Sequence, residues 1–257
     1  MPNSFIQPWC VWLTASLVLL SGPLVWADDV ETVPSTAAIE QIVREYLLHH
    51  PEVIMESLET FRAQQQAAQQ QLRKDVVVAK RAELLEDPTS PVAGAEAASV
   101  EVVEFFDYRC GYCKNVHATV LNLPALYPNV RLIFKEFPIL GPDSELAAKA
   151  ALAAAKQGAY LPMHEALMGL SVPPTQTTIE ALGTTLGLDL AKLKTDMETP
   201  EIAQSLARNQ ALAVALGIQS TPTFVIGGEV VPGAMDAERF ANVIAKAEAM
   251  QKAEAAP

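Results

Sequence analysis

The chain has few of the side chains that hold metal ions or nucleic acids. Its 257 residues include 3 Cys and 4 His, whereas a tetrahedral structural zinc site takes about four ligands of these types. Lys and Arg total 18 against 30 Asp and Glu, and this net charge of -12 argues against nucleic acid or anionic lipid as a partner. There is no Met-rich or His-rich tract. We therefore expect no resident metal or other cofactor.

Charge is also missing from the first 27 residues, which contain no Lys, Arg, Asp or Glu. Residues 11–20 are an apolar core, residues 21–23 break it, and Ala27 is a small residue at a plausible cleavage point. This pattern predicts a secretory signal peptide over residues 1–27 and a periplasmic protein. The usual basic residue near the start is missing, so an uncleaved membrane anchor is the alternative. That core is, however, shorter than the ~20 residues of a spanning helix.

The two cysteines outside this segment, Cys110 and Cys113, follow the apolar run VEVVEFF of residues 100–106. The run predicts a buried strand, and the cysteines fall in the first turn of the helix after it. Thiols at this spacing can close a tight disulfide, and a helix amino terminus stabilises the thiolate that appears when the bond opens. The pair therefore predicts redox chemistry. Half of a zinc site and an inert structural disulfide are the alternatives.

A helical arm is predicted over residues 28–86. Residues 36–61 have the apolar spacing of an amphipathic helix, and Pro51 predicts a break at His49 and His50. The run QQQAAQQQ at residues 64–71 favours an exposed helix. Such an arm cannot bury its apolar face alone, so it packs on the rest of the chain or on copies of itself. Prolines and small residues predict a linker over residues 87–98.

The remaining residues, 99–257, predict one catalytic domain of alternating strands and helices. A strand at residues 130–139 follows the cysteine-bearing helix, and its alternation of apolar and charged residues is typical of a strand. A helical block spans about residues 142–216. A hairpin with a turn at Gly227 and Gly228 follows, and a last helix closes the chain at residues 236–250.

Three segments carry a family resemblance: FFDYRCGYC, the helical block, and STPTFVIGGEVVPGAMD. Together they resemble the DsbA-type branch of the thioredoxin superfamily. The arm segment IEQIVREYLLHHPEVIMESLE resembles the amino-terminal region of the ScsC (suppressor of copper sensitivity) family, some members of which form trimers. The resemblance implies an α/β thioredoxin-like fold with an inserted helical subdomain, preceded by a helical arm. It also implies a homo-oligomer, with a trimer as the expected number.

The resemblance also assigns roles to residues. Cys110 is the implied nucleophile and Cys113 the thiol that resolves the mixed disulfide. Thr221 and Pro222 match the cis-proline loop that faces the cysteines, with a trans proline at a strand start as the alternative. Thr221 is the residue type found there in disulfide isomerases. Glu104 matches a buried acid that exchanges a proton with the resolving thiol, unless it lies at a strand edge in water.

These features predict an exported disulfide isomerase that acts on unfolded or misoxidised exported proteins and is kept reduced by a membrane thiol reductant. A DsbA-like dithiol oxidase is the alternative. A hypothesis of another class is a copper-tolerance protein that sequesters Cu(I) through Cys110 and Cys113, since thiolates are soft ligands. His117, on the cysteine-bearing helix, is expected to serve packing rather than catalysis.

Overall fold

A computed structural model describes residues 34–254 of the chain. Two compact units divide it, with the boundary after Leu58. None of the helices in residues 34–254 has the length and apolar character needed to span a lipid bilayer. The predicted signal segment, residues 1–27, lies outside the described residues.

The first unit contains helix α1, Thr36–His49, and the start of helix α2, Pro51–Ala79. The Oγ of Ser35 accepts a hydrogen bond from the backbone N–H of Ala38 and caps α1. The predicted break is confirmed, because α1 ends at His49 and α2 begins with Pro51 at a position where its missing N–H costs no helical bond. No side chain of α1 is buried.

A five-stranded sheet forms the centre of the second unit. Its strands are β1 Val92–Gly94, β2 Val100–Phe106, β3 Val130–Glu136, β4 Thr223–Ile226 and β5 Glu229–Pro232. Their spatial order is β1-β3-β2-β4-β5, in which β2 and β3 are parallel and the other neighbours antiparallel. The strand that precedes the cysteines, β2, is therefore the central one.

Five helices occupy the stretch between β3 and β4, which confirms the inserted helical subdomain. The helices of the second unit after α2 are α3 Arg81–Leu85, α4 Gly111–Leu121, α5 Leu123–Leu126, α6 Pro142–Ala155, α7 Tyr160–Met168, α8 Gln176–Thr185, α9 Leu190–Met197, α10 Pro200–Ala215 and α11 Ala237–Glu254. Helix packing explains the Ala-rich sequence of α6. Most of its alanines are buried, and their small side chains allow α7 and α9 to pack closely against the helix.

Both faces of the sheet are buried, and alternate residues of β2 serve the two faces. Val102 and Phe106 pack in the same core as Cys113. Val103 and Phe105 pack on the opposite side, where helices α3 and α10 cover the sheet. A strand covered on both faces reads as a continuous apolar run rather than an alternating one, which explains the composition of residues 100–106.

The structure corrects the prediction of a linker over residues 87–98. Strand β1 lies inside that range and pairs with β3, with Val92 opposite Ile133. The prolines of the segment suggested a loop, but both precede β1, and a short edge strand tolerates prolines before its first residue. The preceding residues are also fixed, because the ammonium group of the fully buried Lys135 donates to the Glu83 carbonyl and to the Ser90 hydroxyl, both at 2.7 Å.

The strand predicted at residues 130–139 ends earlier, at Glu136, and is not half-exposed. Lys135 and Glu136 are both buried, on opposite faces of the sheet. The charged residues that gave the segment its alternating appearance therefore belong to two buried polar clusters.

Candidate active site

The two cysteines lie where the central strand passes into helix α4. Cys110 is the N-cap of α4, in an extended conformation, and its carbonyl accepts a hydrogen bond from the backbone N–H of Lys114 at 3.1 Å. Its side chain keeps 7% of its surface exposed, whereas Cys113 is fully buried. Both thiols are free. Cys110 is therefore the thiol that a substrate can reach.

The loop before β4 lies against the outer thiol, that of Cys110. The Thr221-Pro222 peptide bond is cis, as predicted. The thiol of Cys110 donates to the carbonyl oxygen of Thr221 at 3.2 Å. The carbonyl of Pro222 accepts from the backbone N–H of Gly233 at 2.9 Å, which fixes the loop to the end of the hairpin. The structure thus brings Thr221 and Pro222 to Cys110.

Glu104 lies on β2 with only 2% of its surface exposed. Because β2 is central, with Phe134 on one side of Glu104 and Phe224 on the other, the alternative of a strand edge in water is excluded. Burial raises the pKa of Glu104 to about 8. Burial also raises the pKa of the Cys113 thiol above its usual range, and the nearby Glu104 carboxyl adds to that rise. The predicted acid and the resolving thiol are neighbours.

Sequence reasoning missed Asp107, which orders the loop before the cysteines. Its carboxylate accepts four hydrogen bonds: one oxygen from the backbone of Arg109 (2.7 Å) and the hydroxyl of Ser144 (2.8 Å), the other from the backbone of Ile139 (2.8 Å) and Leu140 (3.0 Å). These donors come from the loop itself, the loop after β3 and helix α6. Asp107 therefore fixes the entrance to α4 against the inserted subdomain.

A second missed group is a buried polar cluster beside the thiols. One oxygen of Glu136 accepts from the hydroxyls of Tyr108 (2.8 Å) and Tyr160 (2.9 Å). The Tyr108 hydroxyl is also 2.9 Å from Nδ1 of His164. A hydroxyl has one proton, so Nδ1 of His164 carries the hydrogen of this second bond. Nε2 is then an acceptor, and it is buried with no hydrogen-bond partner in residues 34–254.

Burial dominates the electrostatics of this cluster. It raises the pKa of Glu136 well above its usual value, and the two tyrosine hydroxyls oppose that rise. Burial lowers the pKa of His164 well below its usual value, so the imidazole is neutral. The members come from a loop, a strand and a helix, so no local spacing could reveal them. The one available signal was a tyrosine two residues before the first cysteine.

Two further side chains of α4 contact the inserted helical subdomain. The ring of His117 lies 4.9 Å from that of His164, centroid to centroid, and burial lowers its pKa. The ammonium group of Lys114 donates to the backbone carbonyl of Leu170, which follows α7. In residues 34–254, no group of three or more His, Cys, Asp or Glu side chains is placed to hold a metal ion. A Cu(I) ion at the two thiols alone stays a prediction.

A buried strand that leads to paired thiols at a helix amino terminus, with a cis-proline loop against the outer thiol, defines a thiol–disulfide oxidoreductase of the thioredoxin type. Residues 101–245 match the model of the DSBA-like thioredoxin domain, and the chain belongs to that family. Residues 36–68 match the N-terminal domain of the copper resistance protein ScsC.

Solved structures agree with this assignment. A thioredoxin-like oxidoreductase from Silicibacter pomeroyi is 43% identical, with a TM-score of 0.63 over 65% of this chain and 97% of that one. A periplasmic thioredoxin-like protein from Salmonella enterica serovar Typhimurium is 32% identical, with a TM-score of 0.61 over 66% and 95%. Proteus mirabilis ScsC in a compact conformation is 29% identical, with a TM-score of 0.62 over 83% and 98%.

Part of the chain also resembles part of a larger protein. The Na(+)/H(+) antiporter NhaA of Herminiimonas arsenicoxydans is 29% identical over 166 residues, which are 63% of this chain and 27% of the antiporter. The chain thus spans about a quarter of the length of that curated relative.

Proposed function

We propose that the protein is an exported disulfide isomerase that reshuffles wrong disulfides in exported proteins. The observation that supports the proposal is the protonation state of Cys113 and of its neighbour Glu104. Cys113 is fully buried with a raised thiol pKa, and its neighbour Glu104 has a pKa of about 8. At pH 7 both groups hold their protons, so Cys113 is a poor nucleophile and Glu104 a poor base.

The chemistry then favours rearrangement over reduction. The Cys110 thiolate attacks one sulfur of a substrate disulfide, that bond breaks, and the departing substrate thiolate takes a proton from water. The substrate is now joined to Cys110 by a mixed disulfide. A second substrate thiolate attacks the substrate sulfur of this bond, a new substrate disulfide forms, and Cys110 leaves as thiolate. No net oxidation occurs. Release by Cys113 competes, but it requires loss of the buried proton.

The exposed apolar surface of α1 and the start of α2 supports an oligomer. The large apolar side chains on these helices are mostly in water: Ile39, Ile42, Val43, Tyr46, Leu48, Ile54, Met55 and Phe61. Burial of such a stripe against copies of the same helix is favourable, and the match of residues 36–68 to the ScsC N-terminal domain agrees. We propose a homo-oligomer, a trimer by this likeness, in which several thiol sites surround one misfolded substrate.

The periplasm is the compartment we propose, as for the Salmonella relative described as periplasmic. Disulfide chemistry on other proteins persists in such an oxidising compartment. Isomerisation needs Cys110 as a thiolate. Two electrons from a membrane thiol reductant would return the Cys110–Cys113 disulfide to the dithiol whenever Cys113 completes a release.

Refolding of scrambled ribonuclease tests the proposal. The chain from residue 28 onward, fully reduced, is mixed with scrambled ribonuclease in a glutathione buffer, and the return of ribonuclease activity is followed. We expect faster recovery than with the Cys110→Ser variant. Recovery equal to that variant would overturn the isomerase. Rapid stoichiometric oxidation of a reduced peptide by the disulfide form, without isomerisation, would instead support the dithiol oxidase.

A copper role has one specific observation in its favour, the match to a copper resistance domain. Two thiolates suffice for a linear Cu(I) site, and both would come from Cys110 and Cys113. Competition between the reduced protein and a weak Cu(I) chelator tests this second candidate. No transfer of copper to the protein would end it.

A further inference from the structure

The active-site helix is positive in an acidic chain. The sequence of α4, GYCKNVHATVL, contains one Lys and no Asp or Glu, whereas the whole chain carries a net charge of -12. Arg109 directly precedes Cys110. The amino terminus of the helix adds a partial positive charge at the same place. A substrate that approaches Cys110 therefore meets two cationic side chains and a helix amino terminus, although the protein as a whole is acidic.

The side chain of Arg109 is held by the segment after β3. One of its terminal nitrogens donates to the carbonyl of Leu140 at 2.7 Å and lies 3.7 Å from a carboxylate oxygen of Asp143. The side chains of this ion pair are 35% and 46% exposed. Because water reaches both side chains, Asp143 only weakly offsets the positive charge of Arg109.

Lys114 lies one helical turn after Cys110 and is tied to the other flanking loop through Leu170. Of the acids nearest the thiols, Glu104 is buried and, with a pKa of about 8, protonated at neutral pH. The Asp107 carboxylate is buried and its two oxygens accept four other hydrogen bonds, so it does not pair directly with either cation. Tyr112, between the cysteines, is 68% exposed and offers an apolar contact to a bound chain.

We propose that Arg109 and Lys114 make Cys110 select protein disulfides whose cysteines have acidic neighbours. The inference rests on the proposed function, since it names the substrate class of the same site. Acidic side chains beside the attacked sulfur are attracted to the two cations, and basic ones are repelled. A partly exposed ion pair changes a rate by about two- to five-fold. The preference is electrostatic and falls as salt is added.

The test compares two peptides that differ only in carrying Glu or Lys on both sides of a single cysteine, which is capped as a mixed disulfide with thionitrobenzoate. Cys110 attacks the peptide sulfur, and the thionitrobenzoate anion leaves and is read by its absorbance. With the reduced full chain from residue 28, we expect the acidic peptide to react several-fold faster. The ratio of the two rates cancels any change in Cys110 reactivity itself.

In the Arg109→Gln, Lys114→Gln double variant, and in the wild type at high salt, we expect the ratio to fall toward one. The matched control is Lys246→Gln, because Lys246 pairs with Glu229 at the opposite end of β4 from Pro222 and should leave the ratio unchanged. Equal rates in the wild type, or a preference that survives both the double variant and salt, would overturn the proposal. If neither peptide reacted faster than with Cys110→Ser, the proposed function itself would fall.

Discussion

The Sγ of Cys110 lies 3.2 Å from the carbonyl oxygen of Thr221, so in the thiol form the nucleophile donates to the loop that contains Pro222. When Cys110 becomes a thiolate it can no longer donate, and the carbonyl needs another donor. A backbone N–H of a bound peptide can take that place. The Thr221 carbonyl is therefore an acceptor that the reduced nucleophile uses and that a bound peptide can also use.

Replacing Cys110 by Ser should abolish exchange and preserve the fold. A serine hydroxyl is close in size to the thiol and can donate to the same Thr221 carbonyl, so the free energy of unfolding should change by less than about 1 kcal/mol. Urea unfolding measures this, and mass spectrometry with a disulfide peptide measures adduct formation. An adduct on Cys110→Ser would show that Cys113 is the entry thiol instead.

Glu104 should make the stability of the reduced protein fall with rising pH. The unfolded chain loses this proton near pH 4.5 and the folded protein near 8. Its contribution is therefore complete below pH 4.5 and is lost as the pH rises through about 8. Glu104→Gln cannot ionise, so relative to the wild type it should gain at most about 5 kcal/mol by pH 9.

Urea unfolding at pH 5 and pH 9 measures that difference. Glu101→Gln is the control, because Glu101 lies on the same strand but is partly exposed, 3.9 Å from Arg81. The same pH dependence in Glu104→Gln and in the wild type would contradict a buried, protonated Glu104. In exchange kinetics at pH 9, where Glu104 has lost its proton, Glu104→Gln should also lengthen the lifetime of the mixed disulfide, because Cys113 then lacks a neighbouring base.

Asp107→Asn should loosen the loop before the cysteines. The amide has one acceptor oxygen, so one pair of donors among Arg109, Ser144, Ile139 and Leu140 loses its partner in a buried site. We expect a loss of about 2–4 kcal/mol in the free energy of unfolding. Asp143→Asn changes a half-exposed carboxylate on α6 and should lower the free energy of unfolding by less than about 1 kcal/mol. Equal losses in the two variants would refute the role given to Asp107.

The arm should determine the oligomeric state through its apolar stripe. Ile42→Glu together with Ile54→Glu places charges on side chains that are now exposed and apolar, and should give a monomer by light scattering. Gln64→Glu with Gln66→Glu is the matched control and should leave the oligomer intact. A monomeric wild type, or an oligomer that survives the Ile substitutions, would contradict self-association through this stripe.

A truncated chain should start at Glu59. The second unit begins there, and removing residues up to 95 would delete strand β1 and the buried Leu84. We expect the chain from Glu59 to keep thiol exchange on small peptides and to lose most of the isomerase activity. Isomerase activity equal to that of the longer chain would show that the arm does not contribute to it.

The sequence predicted those parts of the site that are marked by a pattern of neighbouring residues. The apolar run before Cys110, the Cys110–Cys113 spacing and the Thr221-Pro222 loop before a strand each report on their own surroundings, and the fold class follows from the order of strands and helices. The break before Pro51 was equally local, because proline lacks the N–H that a helix interior requires.

The features that the sequence did not predict depend on contacts between residues that are far apart in the sequence. Strand β1 has three residues, with two prolines before it and small residues after it, and only pairing with β3 makes it a strand. Lys135 resembled a solvent-facing strand residue, yet acceptors from a segment about 45–52 positions away in sequence bury it. Tyr108, Glu136 and His164 likewise meet only in the folded protein.

The most direct test of the isomerase account is the initial rate of scrambled ribonuclease refolding by the Cys113→Ser variant in a glutathione buffer. In the wild-type protein, Cys110 performs the exchange and the substrate's own thiols release Cys110 from the mixed disulfide, while Cys113 stays protonated. The account therefore predicts that Cys113→Ser keeps most of the wild-type rate. A rate no higher than that of Cys110→Ser would contradict it, since release through Cys113 would then be part of every turnover.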